Sequence, residues 1–169
     1  MSARLAKPAV VLIFLALIAA LIGAVKFSPC EQSLWATPDQ YVHACYSDIA
    51  TLYGERELDD DRWAYSSKTN AVEYPVITGT VMWFFARVIP SGENELLHYY
   101  RINQIFLAGL FIFIAFIVYR IRPEFAYLSA IAPAAIASLY INWDLWAIAS
   151  MMLSIYWFDR KKYTHSALA

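Results

Sequence analysis

Asp48 lies in "CYSDIATLY" (45–53), behind Tyr46 and Ser47 and between strongly apolar stretches. A carboxylate held among aromatic rings at a membrane surface suits a general base that takes a proton from a hydroxyl. The same spacing also fits a solvated loop acid or a helix cap. A second acid, Asp144, lies in "NWDLW" (142–146), two positions after Asn142, where the fourth apolar run opens. It reads either as a first-turn acid favoured by the helix dipole or as a site residue. Arg101 stands in front of an apolar run, followed by Asn103 and Gln104. It could pair with Asp48, Glu73 or Asp144, hold a lipid phosphate, or snorkel to headgroups. Cys30 and Cys45 are the two cysteines of the chain. They read either as free thiols or as a disulfide, which an oxidising exterior permits. Asp59, Asp60 and Asp61 form an acidic run flanked by Arg56 and Arg62. It lacks the alternating ligand spacing of a calcium loop and reads as a solvated turn. His43, His98 and His165 have no zinc-ligand spacing, so no metal site is expected.

The elements that must position these residues are set by composition. The chain has 169 residues, 60% hydrophobic and 16% charged, whereas soluble domains have about 45–50% apolar and about 25% charged residues. The excess is concentrated in four runs, 8–25, 100–121, 125–140 and 145–158. A spanning helix needs about 20 predominantly apolar residues. The first run exceeds the usual signal-peptide core of about 7–15 residues, and "KFSPCEQ" offers no A-x-A cleavage site. It reads as an uncleaved span. The net charge is −1, and none of the short basic clusters suggests nucleic acid as a partner.

The segment 73–90 is uncharged over too few residues to span easily. Were it to span with Arg4 and Lys7 in the cytoplasm, Arg120, Arg122 and "DRKK" (159–162) would all fall outside. Laying it along the outer surface puts every short basic cluster inside, as the positive-inside rule requires. The expected architecture is therefore all-α: a polytopic membrane helical bundle forming one membrane domain over 1–169. Its four spans are expected at about 8–26, 101–120, 124–141 and 144–158. Both ends are cytoplasmic, and an external loop over 27–100 carries juxtamembrane helices. Positions 41, 44, 45, 49, 52 and 53 approach helical spacing and predict one amphipathic interfacial helix, with Thr37 or Asp39 as its cap. Pro75 is expected to open a short helix. Trp143 and Trp146 fit an aromatic belt. The spans carry too few polar residues for an ion path.

"CYSDIATLYGERELDDD", "VEYPVITG" and "INWDLWAIASMMLSIYWFDRKK" resemble actinobacterial membrane proteins of the glycosyltransferase family 87 type, which have the GT-C fold. That family includes polyprenyl-phosphate-mannose-dependent mannosyltransferases. The resemblance runs over about 29–162 and implies a GT-C-like N-terminal half in the plasma membrane. It implies a polyprenyl-phosphate sugar as donor, with no other cofactor and no required divalent cation. It makes Asp48 the base for the acceptor hydroxyl. Arg101, Asp144, Glu73, Tyr46 and Asn142 would line the donor and substrate site, with Arg101 on the donor phosphate. Family members are longer and have more spans. The chain is therefore expected to act as an N-terminal module completed by more chain or by a second membrane chain. The alternative is a non-catalytic membrane subunit that binds a protein or lipid through its external loop.

Overall fold

A computed structural model of the chain describes the backbone of residues 3–60 and 62–169, with side chains from Pro8 onward. The side chains of Arg4 and Lys7, and Asp61 of the acidic run, lie outside the described residues. Among the described residues every regular element is a helix. In order they are α1 (Ala3–Ser33), α2 (Asp39–Val42), α3 (Asp48–Glu55), α4 (Val76–Val88) and α5 (Glu95–Ile121). Then follow α6 (Pro123–Ile131), α7 (Pro133–Ser138), α8 (Asp144–Asp159) and α9 (Tyr163–Leu168).

Among the described residues two helices are long and apolar enough to cross a membrane, α1 over Pro8–Ser33 with 26 residues and α5 with 27. At about 1.5 Å per residue each reaches roughly 40 Å, beyond the hydrocarbon thickness of about 30 Å. Val10, Phe14, Leu21 and Val25 of α1 point outward, a disposition suited to lipid rather than water.

The expected span over 124–141 is not a continuous helix. Pro133 cannot donate to a carbonyl one turn back, and it forces the residue before it out of the helical region. Ala132 accordingly has φ −61° and ψ 121°. The segment is split into α6, with nine residues, and α7, with six. The expected fourth span is α8, whose 16 residues reach about 24 Å. The segment 73–90 yields α4, with 13 residues, about 20 Å long. Pro75 stands at its N-cap, as expected.

The chain folds as two compact units. One comprises Met1–Val25, Leu107–Leu139 and Asp144–Ala169; the other comprises Lys26–Phe106 and Tyr140–Trp143. In the first, Ser154 Oγ on α8 donates to the Ser166 carbonyl of α9 at 2.7 Å. Tyr127 Oη on α6 donates to the Pro8 carbonyl of α1 at 3.2 Å.

The second unit has an aromatic core. Tyr53 stacks on Tyr99 with centroids 4.5 Å apart, and Trp35 lies 4.3 Å from Tyr100. Burial, reinforced by the charges of Glu95 and Asp59, raises the Tyr53 phenol to about 12. The neutral phenol is thus favoured on folding. Its contribution is complete below the ordinary value of 10.0 and is lost as pH rises through about 12.

A disulfide joins Cys30 at the end of α1 to Cys45 in this unit, with Cα atoms 6.0 Å apart and the two residues 15 positions apart in sequence. Both cysteines are fully buried. Closing a loop of this length removes about 3 kcal/mol of chain entropy from the unfolded state. Cys30→Ser combined with Cys45→Ser is expected to lower stability by about that amount. The urea midpoint of the detergent-solubilised protein should fall, and reducing the wild type should produce the same shift.

Candidate functional site

The predicted amphipathic helix over 41–53 is broken in two. α2 ends at Val42, and Ala44 takes a positive φ of 51°. Ser47 then caps α3 with extended backbone. Its hydroxyl accepts from the Ile49 N–H at 3.2 Å, the role in which serine is strongly favoured. The same hydroxyl donates to the Tyr140 carbonyl at 2.8 Å. The Asp48 N–H donates to the Ile141 carbonyl, also at 2.8 Å. The short segment Tyr140–Trp143 therefore holds the start of α3 by its backbone.

That segment is itself anchored by Trp143. Its indole N–H donates to Asn103 Oδ1 at 2.8 Å, and Asn103 Nδ2 donates to the Tyr99 carbonyl at 2.9 Å. Trp143 is 1% exposed, so it is a core anchor and not the belt residue that its sequence position predicted. Thr37 and Asp39 do not cap α2; Pro38 occupies that position without a side-chain cap.

Asp48, half-buried in the first turn of α3, is held by two phenols. Tyr46 Oη donates to Oδ1 at 2.8 Å. Tyr74 Oη donates to Oδ2 at 3.1 Å. Hydrogen bonds to an ionised acceptor are the stronger kind, and these two fix both oxygens of one carboxylate. An ionised carboxylate offers about four acceptor sites, so further ones are left for an incoming hydroxyl. Burial, then the hydrogen bond and charge of Asp48, raise the Tyr46 phenol. Tyr46 thus remains a donor at neutral pH. Its ring stacks on Tyr41 at 6.0 Å, and the Tyr74 ring meets Trp143 edge-on at 5.4 Å.

Tyr74 is placed by a second tyrosine. Tyr65 Oη donates to the Tyr74 and Pro75 carbonyls at 2.9 and 3.0 Å. The Tyr65 hydroxyl and ring lie against Gly79 so closely that a Cβ there would overlap them. Gly79→Ala is therefore expected to displace Tyr65 and destabilise this unit by about 1–3 kcal/mol. Combining it with Tyr65→Phe, which removes only the hydroxyl, should recover part of that loss in urea unfolding.

The remaining candidates are placed elsewhere. Arg101 Nε and Nη2 both donate to Glu31 Oε2, at 3.1 and 3.0 Å. Its partner is thus an acid at the end of α1 and not Asp48 or Glu73. Glu73 is exposed and pairs with Arg56 at 2.8 Å. Asn142 is half-buried on the Tyr140–Trp143 segment. Asp144 is the first-turn acid of α8, in the other unit. Asp59 and Asp60 are exposed on the turn after α3. The structure thus gathers Tyr46, Asp48 and the 140–143 backbone, and adds Tyr74, Ser47 and Tyr65. Sequence reasoning missed these three as site-forming residues. Ser47 and Tyr74 left signals, a serine directly before a helix-opening acid and a tyrosine directly before Pro75, whereas Tyr65 left none. No known protein-family model matches this chain, and no curated protein or solved structure does so either.

Proposed function

We propose that the chain is the N-terminal module of an integral membrane glycosyltransferase, with Asp48 as its base. The observation that carries this reading is the Asp48 carboxylate, half-buried, with each oxygen oriented by a tyrosine hydroxyl. The reaction class comes from the resemblance of the "CYSD", "EYP" and "NWD" segments to family 87 enzymes. In the step proposed, the acceptor oxygen attacks the anomeric carbon of a polyprenyl-phosphate sugar, taken to be mannose. The bond from that carbon to the phosphate oxygen breaks, polyprenyl phosphate leaves, and the hydroxyl proton passes to Asp48. The Cys30–Cys45 disulfide favours an oxidising compartment for this unit. With the N-terminus in the cytoplasm, α1 carries the unit to the outer face of the plasma membrane in a multi-pass arrangement. Arg101 would hold the donor phosphate by exchanging Glu31 for it.

The test is transfer of mannose from polyprenyl-phosphate mannose in membranes containing the chain and whatever second membrane chain co-purifies with it. Transfer that depends on Asp48 supports the proposal. Equal transfer by Asp48→Asn would overturn the base assignment.

A second reading, a non-catalytic subunit that binds a partner, is favoured by one observation: Arg101 and Glu73 are both engaged in ion pairs. A stoichiometric partner in native membranes, without any transfer activity, would select this reading.

A further inference from the structure

We propose that the basic end of the first unit is a binding site for the phosphate headgroups of anionic phospholipids. The site joins two parts of the chain, the end of α5 with Arg120 and Arg122, and the end of α8 with Arg160, Lys161 and Lys162. They converge on one ring. The Arg160 guanidinium lies 3.7 Å from the Tyr156 centroid, and the Arg120 guanidinium lies 5.9 Å from the same centroid. Arg120 also lies 5.8 Å from the Phe116 ring, and Lys162 lies 5.0 Å from Trp157. Aromatic faces hold guanidinium groups in place through the ring quadrupole; Arg160 Nη1 also donates to the Tyr156 carbonyl at 3.4 Å, which leaves its other N–H groups for an anion.

Five cations stand against two acids nearby in sequence, Glu124 and Asp159, so this end carries a net positive charge. Among the described residues none of the five cations forms an ion pair. Arg120, Arg122, Lys161 and Lys162 are exposed. Like charges held this close repel one another, so a bound anion is stabilising. Planar guanidinium forks match the oxygens of a phosphate bidentately.

The surroundings select a lipid as the source of that phosphate. Arg120 lies in the last turn of α5, a helix long and apolar enough to cross a membrane. Beside the cations, Ile155, Phe158 and Tyr163 are exposed apolar or aromatic side chains, the mixture found at headgroup depth. The Tyr127 bond to Pro8 brings the start of α1 to α6, which begins directly after Arg122. Basic clusters next to a spanning helix attract anionic lipids, by about 1 kcal/mol per residue. This inference stands apart from the Asp48 reading.

The full chain, delipidated in an uncharged detergent, would be titrated with phosphatidylglycerol and phosphatidylcholine, and the retained lipids counted by native mass spectrometry. The wild type should retain phosphatidylglycerol in preference. Arg120→Gln and Arg160→Gln should each weaken its retention about fivefold, the ratio equivalent to the loss of one such contact. The double variant should lose the preference, and Lys68→Gln in the other unit should keep it. Circular dichroism on each variant checks that the helices are retained. Equal retention of the two lipids by the wild type, or an intact preference in the folded double variant, would overturn the site. Displacement of phosphatidylglycerol by an equal concentration of inorganic phosphate would overturn the lipid assignment in favour of a soluble anion.

Discussion

In the proposed reaction, Asp48→Asn is expected to lower mannosyl transfer by about 10²–10⁴-fold, the usual contribution of a positioned general base. The substitution is nearly isosteric and keeps the side chain between Tyr46 and Tyr74. The backbone bond from residue 48 to the Ile141 carbonyl is unaffected. Unfolding should therefore change little while turnover collapses, and the loss should appear in kcat rather than in KM. Tyr74→Phe separates orientation from proton transfer. It removes the donor to Oδ2 and retains the ring against Trp143. A smaller loss is expected there, since the Tyr46 bond remains. Parallel transfer assays on the two variants and the wild type check both expectations. A Tyr74→Phe defect as large as that of Asp48→Asn would make the tyrosine pair, and not the carboxylate, the centre of the site.

Trp143→Ala is expected to destabilise the second unit by about 3–5 kcal/mol, the range for truncating a buried tryptophan. Two losses combine. The cavity left by the indole opens beside Tyr74, and Asn103 Oδ1 loses the indole N–H at 2.8 Å. Trp143→Phe isolates the second loss, about 1–3 kcal/mol for a buried acceptor left unsatisfied. Adding Asn103→Leu should recover much of it, because removing both partners of a buried hydrogen bond can be nearly neutral. Urea midpoints followed by near-ultraviolet circular dichroism in detergent would measure all three variants. A cost below about 1 kcal/mol for Trp143→Ala would contradict a core role. The same substitution should also weaken the Asp48 site, since the segment that bonds Ser47 and Asp48 ends at Trp143.

Several features were legible in the sequence because they depend on local chemistry. The apolar runs at 8–25 and 100–121 are long enough to dictate α1 and α5 whatever surrounds them. Pro75 and Pro123 mark helix starts, Pro75 as the N-cap of α4 and Pro123 as the first residue of α6, where the ring fixes φ and removes a donor that the first turn does not need. The two cysteines could be considered as a pair from their count and spacing alone. Pro133 is a local signal of the same kind, and the expected span over 124–141 left it out of account; one proline suffices to divide a helix.

The site itself was legible only in part. Asp48 and Tyr46 stand two positions apart, so their contact is local. The bond from Ser47 to the Tyr140 carbonyl joins residues 93 positions apart. It uses a backbone acceptor, which every residue type carries, so side-chain identity leaves no signature of it. Arg101 shows the same limit. Residue type and position marked it as a cation seeking an acid, and tertiary structure chose Glu31, 70 positions away. Trp143 fitted a membrane belt by type and neighbourhood, while packing made it the buried partner of Asn103. The sequence by itself determined where helices start, stop and face apolar surroundings, because backbone sterics and hydrophobic run length act within a few residues. The tertiary structure decided which carboxylate, phenol and carbonyl meet, because those pairings depend on how distant segments fold back on one another.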